Sequence, residues 1–192
     1  MEQSMIKVFI GGSRHISRLT VPVLERLRTI MEKELPVIVG DANGADKAVQ
    51  QYFFSKGYQK VEVFCTGSVC RNNVGHWNTR NIGTTTHDKG RAFYTLKDRA
   101  MALEATYGFM VWDEKSPGTL LNVLRLLRQG KKVVVYLTSV HRFAELLSPD
   151  QWDGFIAHYG AEFRSEMEKM IDLEERMDRK MNQPILLPMV SN

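Results

Sequence analysis

The residues best suited to chemistry in this sequence form one short segment, Ser116-Pro117-Gly118-Thr119, which follows an apolar run and opens an apolar-periodic one. Ser116 is a typical helix N-cap residue, and Pro117 suits the first helical position, where its missing N–H costs nothing. The backbone amides of the next turn have no intrahelical acceptor and lie at the positive end of the helix dipole. Such a turn can bind an anion such as phosphate, with Gly118 allowing close approach and Thr119 offering a hydroxyl. The same residues could instead form a capped helix without a ligand.

Two further turns of small and polar residues follow apolar runs earlier in the chain. In the first, residues 11–14 (GGSR), the glycines let the backbone approach a phosphate or ribose, and Arg14 adds a forked cation. In the second, residues 40–46, the carboxylates of Asp41 and Asp46 could bond sugar hydroxyls or hold the turn through its own backbone. Neither turn matches a dinucleotide or Walker fingerprint, because the third glycine of G-x-G-x-x-G and the Walker lysine are missing.

The turns are separated by alternating strand and helix patterns. Near-continuous apolar runs, which suit strands buried on both faces, occur at residues 5–10, 36–39, 61–65, 109–112 and 132–137. Helical patterns fill the intervals at residues 20–35, 45–57, 96–106 and 117–129. This alternation predicts an α/β fold, a Rossmann-like three-layer sandwich with a mainly parallel sheet. Ligands of such sheets bind beyond the carboxyl ends of the strands, where the strand order reverses, so we expect the three turns to meet there.

Two segments depart from this alternation. Residues 66–94 have no clear period and are rich in Asn, Arg and Gly, so we interpret them as a lid or binding loop, with a mobile insertion as the alternative. Residues 141–192 change to a Glu-, Lys-, Arg- and Met-rich pattern that is mostly helical. We therefore divide the chain into an α/β domain, residues 1–140, and a helical C-terminal extension with its tail, residues 141–192.

Composition limits the classes of partner. The 192 residues carry a net charge of +4, which suits an anionic ligand but is too small to indicate nucleic acid. Cys65 and Cys70 lack C-x-x-C spacing, so we expect two reduced thiols. Together with Cys70, His76 and His87 match no standard zinc pattern, so we expect no metal ion, and we expect no other cofactor. No apolar run approaches the roughly 20 residues that span a bilayer, and no signal peptide is evident, so we expect a cytoplasmic protein without a membrane partner.

Four stretches together resemble the SLOG superfamily. They are V-F-I-G-G-S-R from residue 8, V-G-D-A-N-G-A-D-K-A from residue 39, K-D-R-A-M from residue 97 and P-G-T from residue 117. The superfamily groups the cytokinin-activating LOG enzymes, the DNA-processing protein DprA and the YspA-like proteins. The YspA-like branch is the most similar, because there too a tryptophan precedes the R-x-x-x-M segment, as Trp77 does here. The resemblance spans residues 5–137 and implies a Rossmann-like nucleotide-binding domain, usually dimeric, whose members bind nucleotides or nucleotide-derived signals.

Two departures from the superfamily pattern bear on catalysis. Some members cleave N-glycosidic bonds, and the catalytic Glu of the LOG enzymes falls on Asn122 here, which cannot act as a general base. The Arg of the superfamily's R-K-x-x-M motif falls on Lys97, which can still meet a phosphate as a point charge. The substitute carboxylates considered are Asp98 and Glu104. The candidate ligand-binding residues are Gly11, Gly12, Ser13, Arg14, Asp41, Gly44, Asp46, Trp77, Lys97, Pro117, Gly118, Thr119 and Asn122.

Three functions remain open from the sequence. The favoured hypothesis is a module that senses or sequesters a nucleotide or an ADP-ribose-like metabolite, with Trp77 closing over base or sugar, in a homodimer or higher homo-oligomer. The second is an N-glycosidic hydrolase or transferase acting on nucleoside 5′-monophosphates through Asp98 or Glu104. The third, binding of single-stranded DNA, has little support because aromatic residues are not interleaved with basic ones. We therefore do not expect a nucleic-acid partner.

Overall fold

The computed structural model of the protein describes residues 6–83 and 91–181. These residues form seven strands and six helices. The strands are β1 (Val8–Gly12), β2 (Val37–Gly40), β3 (Val61–Thr66), β4 (Asn78–Ile82), β5 (Tyr107–Trp112), β6 (Lys132–Leu137) and β7 (Arg142–Leu146). The helices are α1 (Val21–Glu32), α2 (Ala45–Ser55), α3 (Arg91–Glu104), α4 (Pro117–Arg128), α5 (Asp150–Ile156) and α6 (Ala161–Met181).

The strands form one sheet in the order β4-β3-β2-β1-β5-β6-β7. Of the described strands, β7 alone runs antiparallel to its neighbour. The chain builds β1 to β4 outward on one side of β1 and then places β5 on the other side, pairing Ile10 with Phe109. The strand order therefore reverses between β1 and β5. This architecture confirms the predicted α/β Rossmann-like fold with a mainly parallel sheet.

Helices cover both faces of the sheet, because apolar side chains of the central strands point alternately to each face. One face packs on α1 and α2 through residues such as Leu27 and Phe53. The other face packs on α3 and α4 through Met101 and Leu124, and on Met167 of α6. The sheet is thus the middle of three layers, and burial on both sides accounts for its continuous apolar strands. None of the described helices has the length and apolar character that a membrane crossing needs.

Two segments differ from the sequence-based expectation. Within residues 66–94, expected to be one loop, residues 78–82 form the edge strand β4, whose largely exposed polar side chains carry no apolar period. The segment after residue 140, expected to be mostly helical, begins with β7, which pairs with β6 and extends the same sheet. Helices α5 and α6 then form the expected helical C-terminal segment. The domain boundary at residue 140 stays a prediction.

The expectation of two reduced thiols is wrong, because Cys65 and Cys70 form a disulfide. Cys65 is buried in β3, and the following turn brings Cys70 back until the two Cα atoms lie 5.1 Å apart. The spacing matches no standard motif, so the bond could not be predicted from the sequence. The disulfide withdraws Cys70 from any metal site, and His87 lies outside the described residues.

Gly12 lies where the end of β1 passes closest to its neighbours. A methyl group there would collide with the carbonyl oxygen of Val111 and lie 2.7 Å from the Cβ of Ala45. We expect Gly12→Ala to lower the free energy of unfolding, measured with urea, by about 1–3 kcal/mol through overpacking. Gly118→Ala is the matched control, because no described atom lies within 4 Å of a Cβ there and alanine is the better helix former. Equal stability of the two variants would contradict this prediction.

Candidate functional site

A cavity of about 440 Å³ lies at the carboxyl end of β1, where the strand order reverses. Its walls come from the turns after β1 and β2, from α3 and from the first turns of α4, and α6 contributes Met170. The candidate ligand-binding residues on these walls are Gly11, Gly12, Arg14, Asp46, Lys97, Pro117, Gly118, Thr119 and Asn122. The carboxylate candidate Asp98 lines the cavity as well. Motifs that are far apart in the sequence therefore surround one space.

The first turn of α4 opens into this cavity. Ser116 occupies the N-cap with extended backbone (φ −85°, ψ 103°), but its side chain does not cap the helix amides. Its hydroxyl donates to Asp113 Oδ2 (2.9 Å), while Asp113 Oδ1 accepts the Ser116 amide (2.8 Å). Asp113 therefore shapes the turn and leaves the helix N-terminus for an anion. No described atom lies within 4 Å of a Cβ built on Gly118, so a ligand can approach that backbone.

Ser13 does not line the cavity but fastens this turn to the end of β1. Its buried hydroxyl donates to Asp113 Oδ1 (2.8 Å) and lies 3.3 Å from Thr119 Oγ1. Burial pushes the pKa of Asp113 upward, but hydrogen bonds from the Lys115 amide, Ser13 and Ser116 outweigh burial and hold that pKa below its ordinary value. Asp113 therefore stays ionised and serves the turn rather than a ligand.

Lys97 provides a buried cation beside the cavity. It is 4% exposed, and its Nζ donates to Asp98 Oδ1 (2.7 Å). The side chain passes over Gly40, where a Cβ would lie 2.7 Å from Nζ and collide with Asp46 Oδ2. Burial alone lowers the pKa of Lys97, but the charges of Asp98 and Asp46 outweigh it and raise that pKa. Lys97 is therefore a protonated lysine held between two carboxylates.

Among the described carboxylates with a shifted pKa, Asp46 titrates nearest neutrality. Its buried side chain accepts a hydrogen bond from the Ala42 amide at 3.3 Å. Burial raises the pKa of Asp46 to about 6, against the opposing charge of Lys97. Protonation of Asp46 at mildly acidic pH removes one negative charge from the cavity wall.

A buried ion pair that was not predicted from the sequence borders the cavity, with its Arg125 among the lining residues. Arg125 of α4 binds both carboxylate oxygens of Glu174 in α6 at 2.7 Å, and its Nη1 donates to Asn122 Oδ1 at 2.5 Å. Burial raises the pKa of Glu174, but hydrogen bonds and charge from Arg125 and Arg99 hold it below its ordinary value. Arg125 follows Asn122 by three residues and therefore lies on the same helix face, a spacing from which their contact could have been predicted. No such spacing points to Glu174, which lies in a helix rich in Glu and Lys.

Two candidates in the turn after β2 bind the protein itself rather than line the cavity. Asp41 is buried, and Arg71 holds it through Nη2–Oδ1 (2.6 Å) and Nε–Oδ2 (3.1 Å) contacts. Gly44 adopts a φ of +86°, and a side chain there would collide with the backbone of Arg14. Both residues therefore set the shape of the turn.

Trp77 and Glu104 lie away from the cavity. The expectation that Trp77 closes over a ligand is wrong, because it packs in the core and its Nε1 donates to the Tyr58 carbonyl (2.9 Å). Glu104, at the end of α3, pairs with Arg80 and with Lys7. Because Lys7 precedes β1, Glu104 lies near the amino ends of the strands, whereas the cavity lies at their carboxyl ends. Glu104 is thereby removed as a catalytic candidate.

The stretch from residue 66 to residue 77 is fastened to the core and does not form a lid over the cavity. Gln50 of α2 donates to the carbonyls of Gly40 (2.8 Å) and Asn72 (3.3 Å) and accepts the Val74 amide (2.9 Å). This buried amide ties the loop to α2 and β2. Residues 84–90 of the expected loop lie outside the described part of the chain.

The relationship to known proteins is visible in the fold. No family model and no curated protein matches the sequence. Among solved structures, the chain is similar to one on the single-stranded DNA binding mode of DNA processing protein A (DprA) from Helicobacter pylori, at 16% identity and a TM-score of 0.52. The match covers 68% of this chain and 65% of that one, so this chain spans less than two thirds of the length of that DprA chain. The likeness agrees with the SLOG resemblance at the level of the fold.

The expectation that nucleic acid is not a partner needs correction. It rested on the net charge of +4 and on aromatic residues that are not interleaved with basic ones. The similar DprA structure is described by its binding of single-stranded DNA. A small overall charge is therefore no ground for excluding nucleic acid from this fold.

The buried carboxyl of Asp46 predicts a pH dependence of stability. Its folded-state pKa of about 6 lies above the ordinary value of 3.8. Its stabilising contribution is therefore complete below about pH 4 and is lost as the pH rises through about 6. We expect the free energy of unfolding of the wild type, relative to Asp46→Asn, to fall by up to about 3 kcal/mol between about pH 4 and about pH 7. Urea titrations at a series of pH values measure this difference.

Asp41→Asn is the matched control for that experiment, since Arg71 lowers the pKa of Asp41 against the effect of burial. The stability of the wild type relative to Asp41→Asn should be constant above about pH 4 and should decline at lower pH. A pH-independent difference for Asp46→Asn would mean that Asp46 is ionised throughout and would refute the prediction.

Proposed function

We propose that the protein binds a phosphorylated nucleotide or an ADP-ribose-like metabolite in this cavity, as a sensor or a sequestering module. The observation that carries the proposal is that the first turn of α4, which no described atom obstructs at Gly118, faces the same cavity as Arg14 and Lys97. Helix amides and Arg14 are complementary to phosphate, and Lys97, which is paired with Asp98, offsets negative charge on the same wall. The volume of about 440 Å³ lies within the range of small-molecule pockets, about 300–1,000 Å³.

The remaining walls suit the other parts of a nucleotide. Asp46 and Asp98 offer acceptors to ribose hydroxyls. Phe9, Met101 and Met170 offer apolar surface to a base. Polar and apolar walls on either side of a phosphate-binding turn match the mixed surface of a nucleotide.

An N-glycosidic hydrolase or transferase acting on nucleoside 5′-monophosphates has less support. Asn122, at the position of the LOG carboxylate, cannot act as a general base. Asp98 lines the cavity but pairs with Lys97 at 2.7 Å and lies 3.9 Å from Arg125. Because its carboxylate is held by two cations, we favour binding over catalysis.

Calorimetry with AMP, ADP-ribose and adenosine tests the proposal. We expect AMP or ADP-ribose to bind more tightly than adenosine. We expect Gly118→Val to weaken AMP binding by about 100-fold, because its side chain blocks the helix amides and removes charge-assisted hydrogen bonds of about 1.5–3 kcal/mol. The control is Gly154→Val in α5, a helical glycine outside the cavity that also has no described atom within 4 Å of its Cβ position.

Two results would change the proposal. Equal AMP affinity in the wild type and in Gly118→Val would remove the α4 turn from the site. Free adenine, detected by chromatography after incubation with AMP, would favour the hydrolase over the binding module.

Single-stranded DNA is a second candidate ligand, and the fold shared with DprA is the observation that favours it. Exposed Arg14 and His15 on the cavity wall would contact the strand backbone. We expect a labelled oligothymidylate to bind at low salt, to lose affinity as salt rises and to be displaced by AMP. Fluorescence anisotropy measures all three, and absence of binding at low salt would eliminate DNA as a ligand of this cavity.

Three finer assignments stay predictions that accompany this proposal. They are the YspA-like branch, a cytoplasmic location and assembly as a homodimer or higher homo-oligomer. Light scattering of the purified protein tests the assembly directly.

A further inference from the structure

We propose that helix α6 is part of the ligand site and fixes Asn122 as a hydrogen-bond donor to the ligand. The inference rests on the proposed function. It adds the chemical group that the ligand must offer beside Asn122, which is a hydrogen-bond acceptor. It also assigns a role to the C-terminal segment, which lies beyond the superfamily resemblance.

The contacts begin at the buried carboxylate of Glu174. Its Oε1 accepts Arg125 Nε and its Oε2 accepts Arg125 Nη2, each at 2.7 Å. Arg99 of α3 lies 3.0 Å from the same Oε1. A bidentate pair restrains both the position and the rotation of a guanidinium, so α6 fixes the plane of the Arg125 side chain.

Arg125 in turn orients the side-chain amide of Asn122. Its Nη1 donates to Asn122 Oδ1 at 2.5 Å. A guanidinium has five N–H donors and no acceptor, so flipping the amide would set an NH₂ group against an N–H group. The oxygen of Asn122 therefore faces Arg125, and its Nδ2 is directed away from it.

The Nδ2 group of Asn122 is available to a ligand. Asn122 is 8% exposed and lines the cavity. Within residues 6–83 and 91–181, its Nδ2 has no hydrogen-bond partner. Nδ2 is not among the fully buried atoms that lack a partner, so water in the cavity can accept from it in the free protein, and a ligand that displaces this water binds more tightly if it supplies an acceptor. Asn122 lies four residues after Gly118 on the same helix face, which places the acceptor next to the phosphate-binding turn.

Two substitutions of Asn122 separate ligand binding from folding. Asn122→Asp keeps an acceptor for Arg125, so its Tm should equal or exceed that of the wild type, but it replaces the donor by an acceptor. We expect calorimetry to show an AMP affinity lower by at least about 10-fold for Asn122→Asp and by about 5- to 10-fold for Asn122→Ala.

Arg128→Ala is the matched control for these variants. Arg128 also links α4 to α6, through an exposed pair with Glu175 at 2.9 Å, but it does not line the cavity. Loss of an exposed pair has little effect on stability, so AMP affinity should be unchanged. The comparison therefore isolates the buried contact from a general loosening of α6.

The positioning role of Arg125 and Glu174 is tested in a background that lacks both charges. Arg125→Met combined with Glu174→Met removes the pair at similar volume, and Arg99, which also pairs with this carboxylate, keeps its hydrogen bond to the backbone carbonyl at residue 174 (3.0 Å). In this background Asn122→Ala should change AMP affinity by less than about twofold, because its amide is no longer oriented. An equal effect of Asn122→Ala in both backgrounds would overturn the positioning role.

A spectroscopic readout on the wild type does not depend on those variants folding. The side-chain NH₂ resonances of Asn122, assigned by their loss in Asn122→Asp, should shift as AMP is added. Unmoved resonances at saturation, or AMP affinity unchanged in both Asn122 variants while Gly118→Val abolishes binding, would overturn this inference and leave the proposed function standing. A wild type that binds no AMP would overturn both.

Discussion

A row of alternating charges, buried except for the partly exposed Asp98, underlies the cavity. It runs through Asp46, Lys97, Asp98, Arg125 and Glu174, with 2.7 Å between Lys97 and Asp98, 3.9 Å between Asp98 and Arg125, and 2.7 Å between Arg125 and Glu174. These residues come from α2, α3, α4 and α6, so four helices are joined around one space. Removing one partner of a buried pair leaves an uncompensated charge, at a cost of about 3–5 kcal/mol. The helices can therefore not shift independently while the charges stay paired.

Such a row fixes the relative positions of the helices more than it adds to the net stability of the protein, because desolvation of the ions offsets much of their attraction. Position is what a binding cavity needs, since its walls cannot be held by apolar packing across an empty space. The row also explains why a glycine opens the turn at residues 40–46. Lys97 and Asp46 can meet over the end of β2 because Gly40 has no side chain. The contact between the charges of α2 and α3 therefore depends on the absence of a side chain at the end of β2.

The sequence predicted those parts of the molecule that have local signals. Both ends of the strand at residues 132–137 were predicted correctly, because a strand buried on both faces of a parallel sheet has a continuous apolar sequence. The turn at Gly118 was likewise visible from its own composition. Trp77 and Glu104 were misplaced because an indole or a carboxylate has the same local pattern in a core, an ion pair or a ligand site. The role of such a side chain is determined by its contact partner, as Glu174 determines that of Arg125, and this partner lies far away in the sequence.

The arrangement of α6 bears on the choice between a free nucleotide and a DNA strand. Met170 forms part of the cavity wall, Met167 is buried in the core, and Glu174 fixes Arg125 from behind. A wall formed by α6 suits a ligand that fits entirely inside the cavity, whereas a DNA strand must continue out of the cavity in at least one direction. The exposed Arg14 lies on the wall formed by the turn after β1. The proposed free nucleotide would contact the walls that α3, α4 and α6 supply, and a DNA strand would have to enter by its terminal nucleotide.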